Sequence, residues 1–155
     1  MPIFLVRHGS AGLRNDDDPE DDARHLDEVG DLQAAALVEL LGPESITRVV
    51  SSPADRCIET VSPLAAALGL EVEIEDHLFE GTSIERSWEV VEDLAASGVN
   101  AVLCSHGDVI PEVVSRAKGR GMEIRGKSGC SKGSIWKLRW DGERFDLAEY
   151  QKNKP

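Results

Sequence analysis

A chain of 155 residues, 41% hydrophobic and 30% charged, has the material for one folded domain over residues 1–155 and not the composition of a disordered one. Twenty-nine acidic against seventeen basic side chains give a net charge of −12, which disfavours nucleic acid as a partner, because such a protein must neutralise a phosphate backbone. The apolar start is too short for a signal peptide, no run approaches membrane-spanning length, and Cys57, Cys104 and Cys130 lack metal-ligand spacing; reduced thiols, a cytoplasmic location and no metal, cofactor or membrane partner are expected.

Residues 3–6, Ile-Phe-Leu-Val, read as a buried strand that ends at Arg7-His8-Gly9. A long polar loop follows, and its acidic run over residues 16–22 reads as a solvated segment. Asp27 is placed to cap a helix in which Val29, Leu32, Ala36, Leu40 and Leu41 recur at helical spacing, a face expected to pack on a sheet. Gly42-Pro43 stops that helix. Residues 46–50 read as a second strand, after which Ser52 is expected as N-cap and Pro53 as the first residue of a second helix. That helix should turn Ile58, Val61, Ala65 and Leu68 inward, with Pro63 a point where it can bend.

Residues 70–74 alternate apolar and acidic side chains like an exposed strand, and Trp88, Val91, Leu94 and Ala95 mark a third helix. Residues 99–104 form another buried strand, running into Ser105-His106-Gly107. A helix is expected over residues 109–117, with Pro111 tolerated in its first turn, and residues 118–132 are Gly-rich and basic, a loop by composition. A hairpin closes the chain: Trp136, Leu138 and Trp140 alternate on one strand, Asp141-Gly142 supplies a two-residue turn, and Phe145 and Leu147 alternate on the return. Strands alternating with helices argue for an α/β fold, a mostly parallel sheet with helices on both faces and an antiparallel edge.

In such sheets the site lies beyond the carboxyl ends of the strands. Arg7 and His8, Arg56, and His106 all fall there, each after or near a different strand. Two guanidinium groups and an imidazole around one point suit a tetrahedral dianion, since guanidinium forks pair bidentately with phosphate oxygens and stay charged at physiological pH. A histidine inside that cage can attack phosphorus as the neutral imidazole, and neighbouring arginines hold the proton off it.

Leu5-Val6-Arg7-His8-Gly9, then Ser51-Ser52-Pro53 with Arg56-Cys57 and Glu59-Thr60, then Ser105-His106-Gly107 together resemble the histidine phosphatase superfamily, the phosphoglycerate mutase-like group. Three separated motifs in the right order are far more specific than a lone Arg-His-Gly. The resemblance implies a three-layer α/β/α sandwich, a metal-independent phosphohydrolase, His8 as nucleophile, and Arg7, Arg56 and His106 as phosphate ligands. The small size is similar to SixA-type phosphohistidine phosphatases, and residues 51–68 also resemble the phosphatase-like module that follows a Nudix domain in some bacterial proteins. Leu78-Phe79-Glu80 occupies the stretch where superfamily phosphatases place a Leu-x-Glu acid, which makes Glu80 the candidate general acid. Arg14 and Asn15 match a mutase-like polar position only weakly, which argues against mutase activity. The implied partner is a phosphorylated protein, with protein phosphohistidine leading, or a small phosphorylated compound; a non-catalytic phosphate-binding module is the third alternative.

Other motifs have plainer readings. His25 and His77 lack partner motifs and read as exposed or locally hydrogen-bonded. Residues 121–128 match the Walker A pattern literally, yet neither a strand before nor a helix after is expected, so the segment reads as a basic loop beside the pocket. No cysteine has an arginine six positions on, which excludes a cysteine-based phosphatase, and Trp88, Trp136 and Trp140 read as core.

Overall fold

The computed structural model describes residues 1–15 and 17–155, without the side chain of Asp22; Asp16, within the acidic run, lies outside the described residues. Strands β1 (Pro2–Arg7), β2 (Arg48–Ser51), β3 (Val72–Ile74), β4 (Ala101–Ser105), β5 (Glu123–Arg125), β6 (Ile135–Trp140) and β7 (Phe145–Gln151) form one sheet in the order β3-β2-β4-β1-β6-β7-β5. Neighbouring pairs are parallel except β1 with β6 and β6 with β7, so β6 alone runs against the rest. The antiparallel strand therefore lies inside the sheet, and the edge beyond the hairpin is β5, in the segment expected to be loop.

Helices α1 (Glu28–Leu41), α2 (Asp55–Leu68), α3 (Ile84–Ala96) and α4 (Val109–Gly119) cover the sheet. Two-residue alternation in the strands divides the core. Ile3, Leu5, Ala101 and Leu103 face Trp88, Val91, Ile110 and Val113 of α3 and α4. Phe4, Val6, Val102 and Cys104 face Leu37, Leu41, Val61 and Leu64 of α1 and α2. This is the three-layer arrangement that the element order implies.

Three local expectations are corrected. Helix α1 is capped by Asp27, which accepts from the Gly30 amide at 2.9 Å, but its buried face is Gly30, Gln33, Ala34, Leu37 and Leu41, leaving Val29 and Leu32 52% and 59% exposed. The cause is contact with the loop after β1: Gly30 and Gln33 approach residues 9 and 10 more closely than apolar side chains would permit. Helix α2 starts at Asp55 with Ala54, not Ser52, at its cap position, because the Ser52 hydroxyl is engaged by His106. It runs unbroken past Pro63, whose ring is exposed; Val61 and Ala65 turn inward as expected, with Cys57 and Leu64, while Ile58 and Leu68 are only partly buried. The hairpin pairs Trp140 with Phe145, so four residues turn, with the Asp141 carboxylate accepting from the amides of Glu143 and Arg144. Among the described residues no helix is long and apolar enough to cross a membrane.

Candidate active site

Three strand ends meet at one point. Strand β1 ends at Arg7, β2 at Ser51 and β4 at Ser105, and the ladder continues one residue further: the His8 amide donates to Ser105 carbonyl at 3.1 Å and the Ser52 amide to Cys104 carbonyl at 3.0 Å. His8 and His106 are thereby fixed side by side, their rings edge to face with centroids 5.4 Å apart. Arg56 enters from the first turn of α2, 1% exposed, and its Nη2 lies 3.4 Å from His106 Nδ1. All four predicted phosphate-site residues, Arg7, His8, Arg56 and His106, line one cavity of about 460 Å³. Glu80 lines it too. Its carboxylate pairs with Arg56 Nη2 at 2.5 Å and with Arg14 Nη1 at 3.0 Å.

The position of His8 rests on the loop behind it. Its Nδ1 bonds the Gly9 carbonyl at 2.8 Å, which places the hydrogen on Nδ1 and leaves the Nε2 lone pair free. The Gly9 amide donates to Thr60 Oγ1 at 2.9 Å, and Thr60 in turn donates to the Arg56 carbonyl at 2.6 Å, so the loop after β1 and Arg56 share one anchor. On the other flank the Ser10 amide donates to Gln33 Oε1 at 2.8 Å, while the Ser10 hydroxyl and Gly12 amide donate to Asp27 at 2.6 and 3.0 Å. Those donors, the Ser10 hydroxyl foremost, hold the Asp27 carboxyl down to about 2. The approach requires glycine: a Cβ on Gly30 would stand 2.1 Å from the Ser10 carbonyl oxygen.

Burial sets the protonation of His8. Only 5% exposed, the imidazole is pushed down from 6.5 to about 3 by desolvation, partly opposed by the Gly9 carbonyl and reinforced electrostatically by the neighbouring His106, Arg56 and Arg7. At neutral pH the ring is therefore neutral, with an unprotonated nitrogen amid cations. Arg7 is pinned by its Nη1 bond to the Cys130 carbonyl at 2.7 Å and lies flat against Gly107, where a Cβ would come within 2.8 Å of its Cζ. The Ser52 hydroxyl is 2.8 Å from His106 Nε2 and Phe79 packs edge-on against the same ring at 5.5 Å. The arrangement can hold a tetrahedral anion on two guanidinium groups with a nitrogen nucleophile in reach, and has a carboxyl group for proton transfer.

A model of the histidine phosphatase superfamily, branch 1, matches residues 3–83. The chain belongs to this superfamily. Membership places it among phosphohydrolases, and its likeness runs to the SixA type. It is 30% identical to the phosphohistidine phosphatase SixA homolog of Haemophilus influenzae, over 97% of this chain and 95% of that one. It is also 32% identical to an 8-oxo-(d)GTP phosphatase of Mycolicibacterium smegmatis over 91% of its own length, spanning only 45% of that protein. The structure of the protein histidine phosphatase SixA complexed with tungstate has the same fold, with a TM-score of 0.74 at 23% identity and 96% coverage of both chains. The sandwich is the phosphoglycerate mutase-like one.

Several residues of the site escaped sequence reasoning. Thr60 and Ser52 stood within a recognised motif but had no role assigned beyond a helix cap. Gln33 and Gly30 looked like interruptions of an apolar face, and their signal was that very interruption. Arg24 carried no motif at all, and Lys132 only its place in the basic segment expected beside the pocket, yet both line the cavity. Of the basic segment 118–132 only Lys132 does so; Arg120 instead stacks on Trp88 at 4.9 Å. The Walker-like stretch contains β5 and opens into no helix, which agrees with its rejection as a nucleotide loop. His25 is held by Glu59, whose side chain also accepts from the Leu26 amide at 2.9 Å.

Proposed function

We propose that this chain is a single histidine phosphatase domain that hydrolyses phosphoryl compounds through a phosphohistidine on His8. The observation that carries the reading is the neutral, oriented imidazole of His8 in one cavity with Arg7, Arg56 and His106. Those three residues take the non-bridging phosphoryl oxygens. His8 Nε2 forms a bond to phosphorus as the bond from phosphorus to the leaving group breaks, and the guanidinium groups offset the charge that builds on the oxygens without a metal ion. Glu80, displaced from Arg56 by the substrate and protonated from solvent, delivers that proton to the departing oxygen; the proton it later takes from water returns to solvent when the ion pair re-forms. Water then attacks phospho-His8 with Glu80 taking its proton, inorganic phosphate leaves, and free His8 is restored.

Glu80 belongs to this mechanism on one condition. Its carboxylate occupies Arg56 Nη2, a donor the phosphoryl group also needs. Arrival of substrate displaces it toward the leaving group. A carboxyl group so placed helps an alkoxide far more than an imidazole, so its presence in the cavity favours small phosphate esters or anhydrides as substrates. Protein phosphohistidine is the second reading, supported by likeness along nearly the whole length of a SixA homolog. Three reduced cysteines are in keeping with a cytoplasmic setting.

The test is turnover of p-nitrophenyl phosphate, a phosphorylated histidine-containing protein and a nucleotide panel by wild type and His8→Ala, with the phosphoenzyme trapped under alkaline denaturation and mapped by mass spectrometry. Label on His8 with loss of turnover in His8→Ala is expected. Undiminished turnover by His8→Ala removes the covalent mechanism, and absence of any wild-type turnover leaves a phosphate-binding module instead.

A further inference from the structure

The cavity holds more positive charge than one phosphoryl group needs. Arg7, Arg14, Arg24, Arg56 and Lys132 line it against two carboxylates, Glu80 and Asp108, on a chain whose net charge is −12. Asp108 is committed elsewhere, accepting from the amides of Gly81 and Val109 at 2.8 Å each. The cations also differ in depth. His8, His106 and Arg56 are 5%, 3% and 1% exposed, at the floor, whereas Arg24 is partly exposed, Lys132 half-buried and the Arg14 side chain 62% exposed, toward the mouth.

The mouth cations are positioned, not adrift. Arg24 Nη1 donates to the Ala11 carbonyl at 2.9 Å, and its Nε lies 3.3 Å from the Asp21 carboxylate. Lys132 sits on backbone tied at both sides: its carbonyl accepts from Gln33 Nε2 at 3.0 Å, and the next amide, of Gly133, donates to the carbonyls of His8 and Arg7 at 3.0 and 3.1 Å. Its ammonium group has no ion pair among the described residues. Arg24 and Lys132 thus border the 8–12 loop with their charges held beside the floor site, in a space large enough for a small organic ligand and much larger than one phosphoryl group.

We infer that Arg24 and Lys132, with Arg14 at the rim, form a second anion subsite. The substrate this implies is a small phosphorylated molecule with a further anionic group a few bonds from the transferred phosphoryl: a nucleoside diphosphate or triphosphate, or a phosphorylated sugar acid. The inference rests on the small-substrate reading above and narrows it. The reacting phosphoryl sits on Arg7, Arg56 and His106, and the second anion pairs with the mouth cations, fixing which end of the molecule faces His8. The chain's net charge of −12 gives such ligands no general attraction, so their capture depends on local cations such as these.

Calorimetric binding of three non-hydrolysable probes tests it without requiring turnover: methylphosphonate, phosphonoacetate and methylenebisphosphonate. Wild type is expected to bind at least one of the two probes that carry a second anionic group about tenfold or more tighter than methylphosphonate, the size of one charge-assisted hydrogen bond. Lys132→Gln and Arg24→Gln should each reduce that preference about tenfold, and Lys132→Gln removes no backbone contact, so it remains informative if Arg24→Gln unfolds. Preference for the bisphosphonate identifies a phosphate as the second group, preference for phosphonoacetate a carboxylate. Equal affinity for all three probes, or a preference untouched by Lys132→Gln, overturns the subsite. The covalent mechanism stands or falls separately, on labelling of His8.

Discussion

Replacing His8 by asparagine should make the fold less sensitive to acid, even though it removes the proposed nucleophile. The folded chain holds His8 neutral down to about pH 3, whereas in the unfolded chain it titrates near 6.5. Between those values the unfolded state binds one proton more than the native state, so stability rises with pH and falls as pH is lowered below about 6.5, with a limiting slope of about 1.4 kcal/mol per pH unit. From about pH 7.5 to about pH 5 the wild-type chain should lose about 2 kcal/mol on account of His8 alone. At 5% exposure the ring is too buried for solvent to screen much of this. Urea denaturation of wild type and His8→Asn in phosphate-free buffers at both pH values isolates the effect, because every other titrating group is common to the two chains. The difference in unfolding free energy between them should shift by about 2 kcal/mol in favour of the variant at the lower pH. A shift below about 0.5 kcal/mol would refute a neutral buried His8 and with it the assignment of an always-ready imidazole.

Glu80→Gln should lower kcat on an alkyl phosphate by about a hundredfold or more and leave p-nitrophenyl phosphate far less affected, since nitrophenolate departs without a proton; steady-state kinetics on the pair decides whether Glu80 is an acid or only a partner of Arg56. Gly30→Ala, which by helix propensity should stabilise by about 0.5–1 kcal/mol, is expected to destabilise by about 2 kcal/mol because its Cβ would stand 2.1 Å from the Ser10 carbonyl oxygen; urea midpoints give the sign. Ser52→Ala removes the 2.8 Å partner of His106 Nε2 in a fully buried setting, and should cost about 1–2 kcal/mol of stability and raise KM for phosphate esters severalfold.

Most of the strands, and the convergence of the four candidate site residues, were legible because each is signalled locally. Apolar runs broken by Arg7-His8, Ser51-Ser52 or Ser105-His106 mark strand ends, and the doubly wound architecture brings strand ends together whatever the rest of the chain does. What the sequence hid is the shell that orients those groups. Periodicity assigned Val29 and Leu32 to the core because it weighs only hydrophobicity, while the structure gives that face to Gly30 and Gln33, chosen for close approach and for an amide that bridges Ser10 and Lys132. Asp27 was legible as a cap, but the same carboxylate also fastens Ser10 and Gly12, a tertiary role that no local pattern carries. Strand β5 was missed for a similar reason. Three residues flanked by glycines, Glu123–Arg125, have no pattern of their own and become a strand only because β7 offers an open edge.

The overall charge of the chain and the charge of its cavity point in opposite directions, and this contrast bears on how the site works. A −12 surface gives no general attraction to anions, so capture depends on the few cations at the strand ends and the mouth. Glu80 neutralises part of that charge by pairing with Arg56 and Arg14. An incoming phosphoryl group must therefore exchange with a carboxylate already in place. Weak, singly charged ligands gain little from such an exchange, since they replace one anion by another. A doubly charged phosphoryl group gains more, because it also engages Arg7 and His106, which Glu80 does not touch. The released carboxylate then stands beside the bond to be broken, where a proton taken from solvent makes it the donor, so binding and the placement of that group become one event under the proposed mechanism. Loss of Glu80 should accordingly tighten inorganic phosphate while slowing turnover of esters, two opposite effects that a merely structural ion pair would not produce.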